Sequence, residues 1–281
     1  MKKKKKIEFL ISISSSPGKF GETVHNASFQ FHKISYLYKA LKIKNLNSAI
    51  KSIKDLKIKG ASVSMPFKEK VISFLDKVEP MAKKAGAVNT ILNKKGYLVG
   101  YNTDIYGAYK ALSYLYLKPS DSVLILGAGG VARAIIIALK KMKINDITIA
   151  NRHAGRSKKL AKNLFCKHIN WKDRNNTNKI LLINATSLGM NNSDELPLNK
   201  SSLFNFNKVM DVVVKNKDTK LIKETKYKNL LYVSGIVMTF YQAAEQYKIY
   251  TGYRAPLKEM LKAYNKVNNL TLNLKGNSFK K

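Results

Sequence analysis

A chain of 281 residues, 45% of them hydrophobic, is long enough for two domains with real cores. Its single cysteine, Cys166, excludes an internal disulfide framework and a thiolate zinc site; His25, His32, His153 and His168 show no ligand spacing, so no metal is expected. The net charge of +35 invites a nucleic-acid reading, but only five of the 52 basic residues are arginine (Arg133, Arg152, Arg156, Arg174, Arg254), and no arginine–aromatic cluster occurs.

The lysines are spread along every surface segment beside many asparagines. That is a compositional bias on an ordinary fold: weak polyanion binding at low salt is expected, and no specific nucleic-acid partner. The start, Met1 to Ser12, looks like a signal peptide, yet its apolar part is short, contains Glu8 and lacks a small-residue cleavage site. A first strand over Ile7–Ile13 fits better. No run approaches membrane-spanning length, so a cytoplasmic protein is expected.

A loop of small residues, Ser12 to Lys19, leads to a helix from Phe20 to about His32. Ile34–Leu41 reads as a strand. Leu46, Ala49, Ile50, Ile53 and Leu56 give Asn45–Lys59 a helical period. Gly60–Met65 is a short strand, and Pro66 predicts the first position of a helix that buries Phe67, Val71, Ile72, Phe74 and Leu75. Pro80–Gly86 is a short helix. Val88–Leu92 and Gly96–Tyr101 form a hairpin around Asn93–Gly96. Asp104–Leu115 is a helix. Further buried strands are Lys179–Ala185, Lys208–Val214 and Asn229–Ser234. Thr239–Tyr250 and Pro256–Val267 are helices, and a polar, mobile tail follows from Asn268.

The organising stretch is Val123 to Leu139. Val123–Leu126 is a continuous aliphatic run, hence a buried strand. It breaks at Gly127-Ala128-Gly129-Gly130, and an apolar helix follows from Val131. Strand, glycine turn and helix are what a dinucleotide site requires. Gly127 permits the turn, Gly129 lets the backbone approach a pyrophosphate, and the small Ala132 lets helix and strand pack closely. The helix N-terminus offers free N–H groups and a positive dipole end to phosphates. The next strand, Asp146–Asn151, ends 24 residues after Gly127. An NAD site usually carries an acidic residue there for the ribose 2′-hydroxyl. Here Asn151-Arg152-His153 stand there, with Arg156 close behind. Guanidinium groups bind a 2′-phosphate, so NADP is predicted over NAD.

Lys68, in Ser62-Val-Ser-Met-Pro-Phe-Lys68, falls in the first turn of the predicted helix. A helix dipole disfavours a cation at that end, so a lowered pKa and a role in proton transfer are expected. Asp104 sits at a strand-to-helix junction. It either caps the helix or pairs with Lys68, and spacing alone leaves both open.

The sequence resembles the shikimate dehydrogenase family over nearly its whole length. Ser62 to Lys68 looks like the family's catalytic-lysine motif, Ala85-Gly-Ala-Val-Asn89-Thr its substrate-asparagine motif, and Asn102-Thr-Asp104 its catalytic-aspartate motif. Gly127 to Gly130 and Asn151 to Arg156 look like its two NADP motifs. Asn184-Ala-Thr186-Ser-Leu-Gly-Met190 resembles its signature before the cofactor-side loop. Gly235 and Gln242 match its last glycine and its substrate glutamine. Two α/β domains are implied: an N-terminal substrate domain, residues 1–103, with 237–281 returning to it as C-terminal helices, and a Rossmann NADP-binding domain, residues 104–236. Substrate and nicotinamide would meet in the cleft between them.

The resemblance further implies NADPH-dependent reduction of 3-dehydroshikimate to shikimate, within aromatic amino-acid biosynthesis. Lys68 and Asp104 would be catalytic. Ser64, Asn89, Gln242 and Thr23 would contact substrate. Gly127, Ala128, Gly129, Gly130, Val131, Asn151, Arg152, Arg156, Thr186, Val212 and Gly235 would hold the cofactor, in a monomer or homodimer. There are departures. The family's Ser-x-Ser-Pro before the His-Asn pair is absent before His25-Asn26, and Thr23, Ser16 or Lys19 are the available replacements. The family's substrate tyrosine after Asp211 is Val214, followed by Lys215-Asn216, and Ser62 and Ser64 stand where Asn and Thr are common. This version resembles a divergent, shikimate dehydrogenase-like branch. Quinate or another cyclic hydroxy acid therefore stays open as substrate. A non-catalytic NADP binder and a basic nucleic-acid-binding protein are the readings from another class; the presence of Lys68 and Asp104 counts against the first, the even spread of charge against the second.

Overall fold

The computed structural model describes residues 6–190, 195–215 and 217–274. The chain forms two compact units. One comprises the chain up to Thr103 together with Gln242–Leu272; the other is centred on Asp104–Tyr241.

The first unit holds a six-stranded mixed sheet in the order β2-β1-β3-β5-β6-β4. The strands are β1 (Glu8–Ser14), β2 (Tyr36–Lys42), β3 (Gly60–Val63), β4 (Lys77–Val78), β5 (Thr90–Lys94) and β6 (Tyr97–Tyr101). β1 runs parallel to β2 and β3, whereas β5 is antiparallel to β3 and β6. The β5–β6 hairpin turns on Lys95 and Gly96, both at positive φ, and Asn93 Oδ1 accepts the Gly96 N–H at 2.7 Å.

Helices α1 (Phe20–Phe31), α2 (Leu46–Asp55) and α3 (Pro80–Ala85) belong to this unit. Asn45 caps α2 by accepting the Ser48 N–H at 3.0 Å. The helix stops short of Lys59 because Lys57 takes a positive φ. Leu46, Ile50 and Ile53 turn inward onto Ile11, Ile13, Val63 and Ile91.

One expected helix is not there. Phe67 N–H donates to Ser64 O at 2.9 Å, closing a turn over Met65 and Pro66, and only a short 3-10 helix, Lys70–Phe74, follows. The apolar set is still used: Phe67 and Val71 are buried, and Ile72, Phe74 and Leu75 pack against the same core. The side chains expected inside are inside, while the backbone that delivers them is a turn.

The second unit holds a six-stranded parallel sheet, ordered β12-β11-β10-β7-β8-β9. Its strands are β7 (Val123–Leu126), β8 (Ile147–Ala150), β9 (Lys167–Ile169), β10 (Leu181–Asn184), β11 (Lys208–Asp211) and β12 (Leu231–Ser234). Every residue of β7, β8 and β10 is buried, as strands covered on both faces must be. Taken from β7, the order is that of the doubly wound dinucleotide fold, and its switch point lies between β7 and β10. Helices α4 (Asp104–Ser113), α5 (Gly130–Lys141), α6 (Ala154–Asn163) and α7 (Lys220–Tyr227) connect or flank these strands. Sequence periodicity missed α6, α7 and β9.

The long helix α8 (Gly235–Thr251) begins directly after β12, four residues before its expected start, and α9 (Leu257–Asn268) follows. α9 packs on α1, with the Phe20 and Tyr264 rings edge to face at 5.4 Å. The first part of the tail is not a mobile end. Leu272 N–H donates to Asn265 Oδ1, and Leu272 and Leu274 are buried. The rest of the tail, from residue 275, lies outside the described residues. Among the described residues no helix is long and apolar enough to cross a membrane.

Candidate active site

In the second unit, the strand ends at the switch point are stitched together by backbone bonds. Gly127 N–H donates to Ala150 O at 2.8 Å, Ala185 N–H to Leu126 O at 2.8 Å, and Val212 N–H to Asn184 O at 3.0 Å. Gly127 has φ +115°, and a Cβ there would lie 2.5 Å from Ala185 O. Only glycine fits, for reasons internal to the protein. Gly129 differs: its backbone is extended, it precedes the first residue of α5, and a Cβ on it would meet nothing within 4 Å. Nothing in the protein itself excludes a side chain at Gly129. Open space in front of a twelve-residue helix's N-terminus is what a dinucleotide pyrophosphate needs. Ala128 is buried, and Gly130 and Val131 form the first turn of α5.

At the end of β8, Asn151 Nδ2 donates to His153 O at 3.0 Å and shapes the entry into α6. Arg152 and Arg156 are exposed, and no acidic residue lies in the first turn of α6. This corner is built to receive an anion. With the glycine turn, these residues fit NADP.

Sequence reasoning overlooked the hub beside them. Asn184 and Asp211 are register partners at the ends of β10 and β11. Asp211 is 1% exposed. Its Oδ1 accepts from Asn184 Nδ2 (3.0 Å) and Val213 N–H (3.1 Å), and its Oδ2 from the Thr219 hydroxyl (2.6 Å). Asn184 Oδ1 in turn accepts the Thr186 hydroxyl at 2.6 Å. One carboxylate thus ties the loop carrying Thr186, the turn after Val212 and the N-cap of α7. Burial pushes its pKa up to about 6, against the pull of its hydrogen-bond donors and of Lys215. Val212 is the close neighbour of Gly235, whose Cβ would collide with the Val212 carbonyl. A charged residue ending a buried strand was the available signal. Val214 is exposed; Asn216 lies outside the described residues.

In the first unit the centre is Asn89, 1% exposed. Its Oδ1 accepts from Thr103 N–H (2.8 Å) and the Thr90 hydroxyl (2.9 Å), and its Nδ2 donates to Thr103 Oγ1 (3.0 Å). Asn89 O accepts Val63 N–H, at the end of β3, and Val88 N–H donates to Lys68 O at 2.8 Å. The turn carrying Lys68 is therefore fastened at Val88. The segment leading to Asp104, the next residue after Thr103, is fastened to the Asn89 side chain. Asp104 is 4% exposed and begins α4. Lys68 is half-buried and precedes a five-residue 3-10 helix in place of the expected α-helix, so it does not stand in the first turn of an α-helix.

The remaining expected contacts are more dispersed. Ser64 is exposed, and its carbonyl closes the turn. Gln242 is half-buried on α8. The Thr23 hydroxyl donates at 3.0 Å to the carbonyl of Lys19, the N-cap residue of α1, and Ser16 N–H donates to Ser14 Oγ. Behind Asn89, His25 is fully buried and stacked on Tyr38 at 4.7 Å, and burial holds its pKa at about 4.

A parallel sheet of this order with a glycine turn at its switch point, joined to a second α/β unit, defines a two-domain dinucleotide-dependent protein. Comparison with known proteins narrows the class. A model of the shikimate dehydrogenase substrate binding domain matches residues 10–91, and a shikimate / quinate 5-dehydrogenase model matches residues 112–188. A shikimate dehydrogenase-like protein of Haemophilus influenzae is 32% identical over 260 residues, 92% of this chain and 95% of the relative. Shikimate dehydrogenase (NADP(+)) of Pyrococcus furiosus is 35% identical over 246 residues, 84% and 87%. The structure of shikimate 5-dehydrogenase from Thermus thermophilus, in complex with NADP(H) and shikimate, superposes with a TM-score of 0.82 at 26% identity, covering 93% of this chain and 99% of that one. The chain belongs to the shikimate dehydrogenase family.

Proposed function

We propose that this protein interconverts shikimate and 3-dehydroshikimate with NADP(H) as hydride carrier. One observation carries the reading: the Asn89 side chain fastens the segment that leads into Asp104, and Val88 beside it fastens the turn of Lys68. The motif residues of the family are thereby joined by hydrogen bonds that involve no ligand. The relatives from Pyrococcus furiosus and Thermus thermophilus support both the substrate and the cofactor.

NADPH, when bound, supplies the hydride that reduces the ketone. The chain's part is positional and protonic. Lys68 donates a proton or hydrogen bond to the ketone oxygen as negative charge grows there, which lowers the barrier where charge changes most. Asp104 orients the Lys68 amine and accepts a substrate hydroxyl. Asn89 and Gln242 fix other hydroxyls, so that the reacting carbon is held toward the carrier. Arg152 and Arg156 take the 2′-phosphate, and the α5 N-terminus takes the pyrophosphate.

Quinate is the competing substrate. Val214 stands where a tyrosine contacts substrate in the family, and the segment before His25-Asn26 lacks the usual serines. Initial rates of NADP reduction, followed by NADPH absorbance, test both at once. Shikimate with NADP should turn over fastest; faster turnover of quinate, or faster turnover with NAD, would redirect the reading.

A further inference from the structure

Gln246 lies one helical turn beyond Gln242 on α8, and it is 2% exposed. Its Nε2 donates to Asn89 O at 3.1 Å and to Thr90 Oγ1 at 3.0 Å. The Thr90 hydroxyl, so engaged, donates its own proton to Asn89 Oδ1 at 2.9 Å. The bonds form a directed relay: the glutamine amide fixes the threonine hydroxyl, and the hydroxyl fixes the asparagine oxygen. Thr103 N–H donates to the same oxygen from the other side at 2.8 Å. Asn89 Oδ1 is thereby held by two donors, which sets the orientation of the amide, whose Nδ2 donates to Thr103 Oγ1 at 3.0 Å.

The surroundings leave Gln246 few alternatives. The fully buried His25 ring is its neighbour, and burial keeps that ring neutral against a smaller opposing pull from the Gln246 amide. An amide between a neutral imidazole and a strand edge costs desolvation unless its donors are used. Here both acceptors belong to the residue pair that carries the proposed substrate contact. A hydrophobic residue would fill the same volume and spare that cost. The polar choice therefore calls for a role beyond packing.

We propose that Gln246 is a positioning residue for substrate: it acts through Thr90 to lock the Asn89 amide in the orientation that receives a substrate hydroxyl. The inference rests on the reading of Asn89 given above and extends it to a residue that touches no substrate itself. Loss of the lock should weaken substrate capture and leave the cofactor site, in the other unit, as it was.

The test uses Gln246→Met, which keeps the volume and removes the donors, and Thr90→Val, which breaks the relay at its second member. Two readouts are needed: steady-state kinetics with shikimate and NADP, and a crystal structure of each variant. Each variant should raise KM for shikimate about tenfold, in line with the loss of one or two buried hydrogen bonds. KM for NADP and kcat should stay within about twofold, and the Asn89 amide should turn or split into two rotamers. The double variant should be no worse than either single one, because both act on one relay. An Asn89 amide unmoved in Gln246→Met would overturn the proposal. So would a uniform fall in kcat with both KM values raised, which marks a general packing defect. If the wild-type protein does not oxidise shikimate, the functional reading fails by itself, and the variant structures still decide whether Gln246 holds Asn89.

Discussion

Replacing Gly127 and Gly129 by alanine, one at a time, separates what the glycine turn does for folding from what it does for a ligand. At Gly127 the added methyl meets Ala185 O at 2.5 Å, and the backbone sits at φ +115°. Ala185 cannot retreat without loosening its own bond to Leu126 O, which joins β10 to β7. A side chain in such a region of φ costs about 1–3 kcal/mol before the clash is counted. A loss of about 3 kcal/mol corresponds to a melting temperature lower by about 6–12 °C in a chain of this size. At Gly129 the backbone is extended and the methyl meets nothing. Stability should change by no more than about 0.5 kcal/mol. The same methyl occupies the approach to the α5 N-terminus, so affinity for NADPH should drop at least about tenfold. Thermal unfolding followed by circular dichroism and titration of NADPH fluorescence measure the two quantities separately. Wild-type NADPH affinity in Gly129→Ala would refute the assignment of this turn to the pyrophosphate.

Three further outcomes follow from the same geometry. Arg152→Ala and Arg156→Ala should each raise KM for NADP about tenfold, the worth of a charge-assisted hydrogen bond, and leave KM for NAD unchanged; equal weakening of both cofactors would place the arginines elsewhere. Asp211 should make stability depend on acid. Its folded pKa of about 6 lies above the unfolded value of 3.8, so the native state binds the extra proton and is favoured below pH 4, and that advantage is lost as pH rises toward 6. Urea unfolding of wild type and Asp211→Asn at several pH values should show a difference that changes by about 1.4 kcal/mol per pH unit in that window and is flat outside it. Gly235→Ala should destabilise through collision with the Val212 carbonyl, and a variant as stable as wild type would show that α8 can shift away.

Strong periodicity made much of the fold legible. Val123–Leu126 could be read as a strand because all four residues are aliphatic and buried, and α5 because its apolar stripe resumes at once after the glycines. Helices α6 and α7 stayed hidden because lysines dominate them: α6 buries only Ser157, Leu160 and Ala161, too few to draw a stripe. The turn at Met65-Pro66 mimics a helix start because its apolar residues keep a helical spacing that the core satisfies without a helix. Motif residues were visible as local strings. Two of their supports, Asp211 and Gln246, were not, because Asp211 is bonded to Asn184 on the neighbouring strand and Gln246 reaches Asn89 from a helix 157 residues further along the chain. Gln246 offered the one local hint, a second glutamine four positions after Gln242.

In the proposed reaction Lys68 handles the proton of an NADP-linked alcohol oxidation. Turnover of shikimate by Lys68→Ala, compared with wild type at saturating NADP, tests it most directly, with NADPH affinity measured on the same preparations. A fall in kcat of about 100-fold to 10,000-fold, the usual worth of a positioned acid–base group, with NADPH affinity unchanged, is the expected result. A variant that turns over shikimate as fast as wild type would remove Lys68 from the chemistry.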